Sequence, residues 1–140
     1  MRTTPLSVGD PAPWFACRSA LNPSFQFDTV AGRYVVLCFL ESAGDSAAGR
    51  LLAQITARRS RFDDEHLCFF AVSSDPEDER PGRVVDMLPG IRTLWDFDRS
   101  VARLYGANLA DGARRGLIYV LDFRLPGQSA VSRGRRAGAG

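Results

Sequence analysis

Three apolar, β-rich runs constrain this chain most: Tyr34-Val35-Val36-Leu37-Cys38-Phe39-Leu40, Leu67-Cys68-Phe69-Phe70-Ala71-Val72-Ser73 and Gly116-Leu117-Ile118-Tyr119-Val120-Leu121-Asp122. A strand that is apolar at nearly every position must be covered on both faces, as central strands of parallel sheets are. Each run is far shorter than the roughly 20 apolar residues that a membrane span requires. After the first run, Asp45 or Ser46 can cap a helix in which Ala47, Ala48, Leu51, Leu52, Ile55 and Ala57 recur at near-helical spacing. Arg50, Arg58, Arg59 and Arg61 fall on its wet side. After the second run the pattern predicts an acidic loop from Asp75 to Gly82 and a short helix around Arg83 to Leu88. A short strand at Leu94–Asp96 and a helix from Arg99 to Tyr105, which Gly106 can terminate, then follow. Strands and helices alternating in this way specify an α/β fold, a central sheet flanked by helices on both faces.

The two ends are different. Pro11 and Pro13 hold the opening segment extended, and the alternation at Ser24–Asp28 suits a strand pairing with residues around Trp14 to Cys17. An N-terminal β-hairpin is therefore expected. At the other end the apolar pattern stops at Phe123, which leaves the sheet incomplete there and one strand edge without a partner. The expected outcome is edge-mediated self-association, such as a homodimer, or a tail that wraps back irregularly.

Charge marks the same boundary. The formal net charge of the 140 residues is +2. Residues 1–123 hold 14 arginines and 16 acids, a net of −2, whereas residues 124–140 hold four arginines and no acid. The chain thus divides into a folded body, 1–123, and a basic Gly/Ala/Arg tail, 124–140, too poor in apolar residues to offset its ordering entropy. The compositional break fits a basic appendage and a truncated or frameshifted gene alike. An acidic body argues against specific nucleic-acid binding, and no apolar run argues for a membrane. With no apolar leader after Met1, the cytoplasm is the expected location.

Composition removes several chemistries. All 18 basic residues are arginine, so a lysine phosphate loop, a Schiff base and a lysine general base are excluded. The one histidine, His66, cannot supply two ligands to non-haem iron, and its place after Asp63-Asp64-Glu65 suits a solvated turn. Cys17, Cys38 and Cys68 have no zinc spacing, and the acids Asp75, Glu77, Asp78 and Glu79 lack the glycine and closing glutamate of a calcium loop. The latter read as a solvated loop. No Gly-rich phosphate loop follows the first long strand, which disfavours a flavodoxin-like nucleotide binder, and no cofactor is expected. Cys38 and Cys68 sit in apolar runs and read as small buried hydrophobes, while Cys17, beside the polar Arg18, is expected nearer the surface and is the thiol to test for redox chemistry. Glu41 and Asp45, in the loop at a strand's carboxyl end, could hold a metal or a cationic ligand, but no metal site is expected. Trp14 and Trp95 read as core or subunit-interface aromatics.

Five segments in order resemble the peroxiredoxin branch of the thioredoxin-like superfamily, the alkyl hydroperoxide reductase and thiol-specific antioxidant group. They are Val8-Gly9-Asp10-Pro11-Ala12-Pro13-Trp14-Phe15, Gly32-Arg33-Tyr34-Val35-Val36-Leu37-Cys38-Phe39, Phe70-Ala71-Val72-Ser73-Ser74-Asp75, Trp95 through Gly106, and Arg115 through Asp122. The resemblance implies a thioredoxin-like, peroxiredoxin-type fold and an antioxidant oxidoreductase ancestry. It also implies a P-x-x-x-T/S-x-x-C motif after the first long strand, in which the Cys attacks peroxide. Those three places fall on Glu41, Asp45 and Ala48. The family's peroxide-polarising arginine corresponds to Arg115 or Arg114, with Arg115 one residue further from the Asp than usual. The reading that follows is a domain without the peroxidatic cysteine, serving interaction or ligand binding with an unknown partner, and the resemblance also allows it to be the N-terminal part of a larger protein. The alternative is a thiol oxidoreductase that works through a nonstandard cysteine such as Cys17.

Overall fold

The computed structural model describes residues 6–19, 22–40, 42–80, 88–107, 117–124 and 130–136. Seven strands form one mixed sheet: β1 (Ala16–Ser19), β2 (Phe25–Gln26), β3 (Tyr34–Leu40), β4 (Leu67–Ser73), β5 (Ile91–Trp95), β6 (Leu117–Asp122) and β7 (Ala130–Arg136). Their spatial order is β2-β1-β5-β4-β3-β6-β7. The apolar strands β3, β4 and β5 are parallel neighbours at the centre, while β1 and β6 flank them antiparallel. Helix α1 (Ser46–Ala57) and the single-turn α2 (Ser100–Leu104) pack on opposite faces.

Each face has its own core. On the α2 side Val35, Leu37, Phe39, Phe70, Val72, Leu94, Leu117, Tyr119 and Leu121 meet Val101, Ala102 and Tyr105. On the α1 side Cys38, Leu40, Phe69, Ala71 and Ile91 meet Ala48, with Leu51, Leu52 and Ile55 half-buried against them. Burying a side chain such as Leu37 or Phe69 contributes about 1.5–3 kcal/mol. The N-terminal segment crosses the α2 side and is held by a tyrosine chain. The Tyr105 hydroxyl donates to Pro13 O at 2.7 Å. The Tyr119 hydroxyl accepts from Leu6 N at 3.0 Å and donates to Tyr105 O at 2.8 Å.

Most elements fall where the sequence places them. The N-terminal hairpin pairs Ala16 with Gln26 and Cys17 with Phe25. Helix α2 ends on Gly106 at φ +67°, where Ala107 N donates to Ala102 O and Gly106 N to Arg103 O, the paired bonds of a Schellman stop. Gly90, at φ +71°, is confined to glycine by space as well as by backbone conformation, since a Cβ there would lie 2.5 Å from Asp63 N. The helix expected around Arg83 falls, except for Leu88, outside the described residues.

The structure differs from the sequence reading at the C-terminus. Residues 130–136, expected to be structureless, return as β7 and pair antiparallel with β6, with a register shift between Val120 and Leu121. The tail thus wraps back in a regular conformation, and the sheet edge expected to be unpartnered is covered. Main-chain hydrogen bonding, which an apolar pattern does not encode, is the physical reason. Among the described residues no helix is long and apolar enough to cross a membrane.

Candidate functional site

Because β3, β4 and β5 are parallel, Leu40, Ser73 and Trp95 end at one rim of the sheet. Ligands of α/β sheets bind outside such carboxyl ends. The loop from β3 to α1 lies there, and so does the 3-10 turn Pro76–Glu79 after β4.

Asp45 caps α1 as the sequence predicts: its backbone is extended and its Oδ2 accepts from Ala48 N at 3.3 Å. Ala48, the place where the resemblance calls for a cysteine, is buried in the first turn of α1. Glu41, Arg114 and Arg115 lie outside the described residues. Among the described residues no group of three or more His, Cys, Asp or Glu is arranged to hold a metal.

Two aspartates from the β4 side reach across and fasten this loop. Asp78 Oδ2 accepts from Ser73 Oγ at 2.6 Å and from Ala43 N at 2.7 Å. Ser42 Oγ donates to Asp75 Oδ2 at 2.6 Å and accepts from Gly44 N at 3.0 Å. Asp75 Oδ1 also accepts from Glu77 N, so the same side chain starts the 3-10 turn. The expectation of a solvated acidic loop at Asp75–Glu79 therefore fails at Asp78, which is 0% exposed. A buried carboxylate is tolerated only when hydrogen-bonded, and here the end of β4 and the loop after β3 each supply a donor. Next to it, Glu79 forms a bidentate pair with Arg18 of β1 at 2.6 and 2.9 Å. These contacts hold Glu79 below its usual range.

The chemistry of this rim follows from those partners. Hydroxyls of Ser42 and Ser73 point into carboxylates, but no imidazole can act as base on them. His66 precedes β4, at the opposite end of a strand about 20 Å long. There it is exposed, with Nδ1 3.2 Å from Asp63 Oδ2. The Ala48 amide at the start of α1 already has the Asp45 carboxylate.

The three thiols are elsewhere, free and buried. Cys17, expected near the surface, is 9% exposed and donates to Trp95 O at 3.3 Å. Burial, reinforced by the charge of Asp96, pushes it up to about 12. Burial alone does the same to Cys38, and it also raises Cys68. A thiol so far from ionisation is a poor nucleophile at neutral pH. Trp95 is core, whereas Trp14 is 44% exposed and rests on Phe123 with ring centroids 4.7 Å apart. Cys17 borders a cavity of about 400 Å³ shared with Arg18, Trp95, Asp96, Phe97 and Asp98. Asp96 in its wall accepts from Val101 N and Ala102 N, yet burial outweighs these bonds and holds its carboxyl above the usual range.

Sequence reasoning located Asp45 and Ala48 but missed Ser42, Ser73 and Asp78. The available signal was a serine two residues after β3 and another at the end of β4, with acids spaced after the second. It became readable only once β3 and β4 were known to be adjacent and parallel.

A family model described as the AhpC/TSA family matches residues 8–124. No curated protein gives a significant sequence match. Among solved structures, a peroxiredoxin-like protein from Aquifex aeolicus superposes with a TM-score of 0.72 at 15% identity, covering 95% of this chain and 77% of that one. Mycobacterium tuberculosis AhpC gives 0.70 at 20% identity, with 97% and 84% covered. The thioredoxin domain of a thiol-disulfide oxidoreductase from Bacteroides vulgatus gives 0.67 at 17% identity, with 95% and 91% covered. At such identities the likeness establishes the thioredoxin-like fold and nothing finer.

Proposed function

The chain belongs to the AhpC/TSA family, and we propose that it uses this scaffold as an interaction or ligand-binding module, not as a thiol peroxidase. One observation carries the reading: the first turn of α1 holds Ala48, with the Asp45 carboxylate on its amide, where the family resemblance calls for a cysteine. A helix N-terminus favours a thiolate through its free amides and positive dipole end. Here a carboxylate occupies that position, and its charge would raise the pKa of a thiol placed nearby. The Ser42–Asp75 and Ser73–Asp78–Ala43 bonds fix the adjoining loop. Three cysteines that form no disulfide suit a reducing compartment such as the cytoplasm.

The cavity beside Cys17 favours a second reading, a thiol oxidoreductase acting through that residue. Burial and the high pKa of the thiol weigh against it. Consumption of hydrogen peroxide or an organic hydroperoxide, with dithiothreitol as reductant, separates the two. The module reading expects the rate of buffer alone. Turnover that disappears in Cys17→Ser would reject it in favour of the second reading.

A further inference from the structure

Helix α1 packs Leu51, Leu52 and Ile55 toward the sheet and leaves Arg50, Ala53, Gln54 and Ala57 exposed. Arg58 closes the helix, and Arg59 and Arg61 follow in a single 3-10 turn, all three exposed. From Ser46 to Phe62 the chain has four arginines and no acid. None of the four lies within ion-pair distance of a carboxylate among the described residues. Elsewhere Arg18, Arg80, Arg92 and Arg124 are paired, with Glu79, Glu77, Asp64 and Asp122. Acids resume at Asp63-Asp64-Glu65, the first two turned to His66 and Arg92.

Helix stability accounts for only part of this cluster. The Arg58 and Arg59 guanidiniums donate to Gln54 O and Thr56 O at 3.4 and 3.2 Å, at the helix end where a cation is favourable. Arg50 lies in the N-terminal half, where it gains nothing of the kind. Arg58 stands about 12 Å further along the axis and only about 80° around it, so the two share one face. Ala53 and Ala57 between them are small, so a second helix can lie close along that face. Carboxylates at the same helical spacing on such a helix meet both guanidiniums.

Other occupants fit less well. A membrane needs apolar side chains beside the charges, and the exposed large ones described, Val8, Trp14 and Leu104, belong to α2 and the N-terminal segment across the sheet. For nucleic acid, the face has no aromatic side chain on which bases stack, and residues 1–123 carry a net −2. A second copy offers no matching helix, since neither α1 nor α2 contains an acid. In the acidic turn Pro76–Glu79, Glu77 and Glu79 are paired and Asp78 is buried.

We propose that the outer face of α1 is a docking site for an acidic helix of another protein, its carboxylates paired with Arg50, Arg58 and the arginines of the following turn. The inference deepens the interaction-module reading and rests on it. A fluorescent Ala/Gln peptide of about 21 residues, long enough to be helical and with glutamates along one face, tests it by anisotropy against the full chain. An isomer of the same composition, with the glutamates spread around the helix, is measured beside it. The expected result is saturable binding that weakens with salt, with the isomer at least about fivefold weaker. Arg50→Gln/Arg58→Gln should weaken binding about tenfold with an unchanged far-UV CD spectrum. Arg80→Gln, which alters a paired arginine outside α1, should leave the affinity within about twofold. Equal binding of the isomer, an unchanged affinity in the double variant, or no binding at about 1 mM overturns the proposal. So does tighter binding of a duplex oligonucleotide or of phosphatidylserine vesicles at equal charge concentration, or self-association that the double variant abolishes. Peroxide turnover by the same preparation would instead remove the reading on which it rests, so the two failures are distinguishable.

Discussion

Asp78→Ala tests whether the rim of the sheet is held as described. The side chain is fully buried, and one of its oxygens takes both the Ser73 hydroxyl at 2.6 Å and the Ala43 amide at 2.7 Å. Hydrogen bonds to a charged acceptor are worth about 1.5–3 kcal/mol each, and the variant leaves two donors without it. Allowing for partial relaxation, the expected cost is about 3–5 kcal/mol. For a domain of this size that lowers Tm by roughly 10–15 °C. Asp78→Asn keeps a carbonyl acceptor and should cost less, about 1–2 kcal/mol. Urea denaturation followed by far-UV CD gives the free energies, and native-state hydrogen exchange at the Ala43 amide reports on the loop itself. A double-mutant cycle with Ser73→Ala should return a coupling of about 1–2 kcal/mol. If Asp78→Ala costs less than about 1 kcal/mol with an unchanged m-value, the carboxylate does not hold the two loops together and the argument is wrong.

Other expectations are more direct. At pH 8 none of the three cysteines should react rapidly with Ellman's reagent in the native protein, since all are buried and raised, whereas all three should react in guanidinium; one fast native thiol would contradict the assigned burial. Asp63 accepts from Glu65 N and His66 N, and these bonds hold its carboxyl down at about 2. A depressed carboxylate contributes stability that is present above its unfolded value near 4 and is lost as pH falls through about 2. A carboxyl NMR titration of Asp63 with a midpoint near 4 would dispose of that turn. Gly90→Ala places a Cβ 2.5 Å from Asp63 N at φ +71°, so it should destabilise by at least about 2 kcal/mol in the same urea assay. Full retention of stability would show that the Asp63 turn moves aside freely.

Much of the candidate site was legible because local rules govern it. Asp45 caps α1 through a bond that spans three residues, and Gly106 stops α2 through its own backbone conformation. Position 48 follows from counting along β3 and its loop. Asp78 was misread because its donors come from residues 5 and 35 positions away, and nothing local distinguishes it from the exposed acids beside it. Cys17 was misread for a related reason. Its polar neighbour Arg18 does point outward, to Glu79, but alternation along β1 then turns Cys17 into the core.

By itself the sequence determined which chemistry is absent and which strands are central. A chain without lysine and with one histidine excludes whole mechanisms, and runs that are apolar on both faces can be stable only when both are covered. The tertiary structure decided what lies at the margins. It added β7 from a tail with no apolar periodicity, because an edge strand is joined through backbone hydrogen bonds that any residue except proline can make. It also tied the Asp75 and Asp78 carboxylates to the loop after β3, because adjacency of β3 and β4 is a property of the sheet and not of any segment within it.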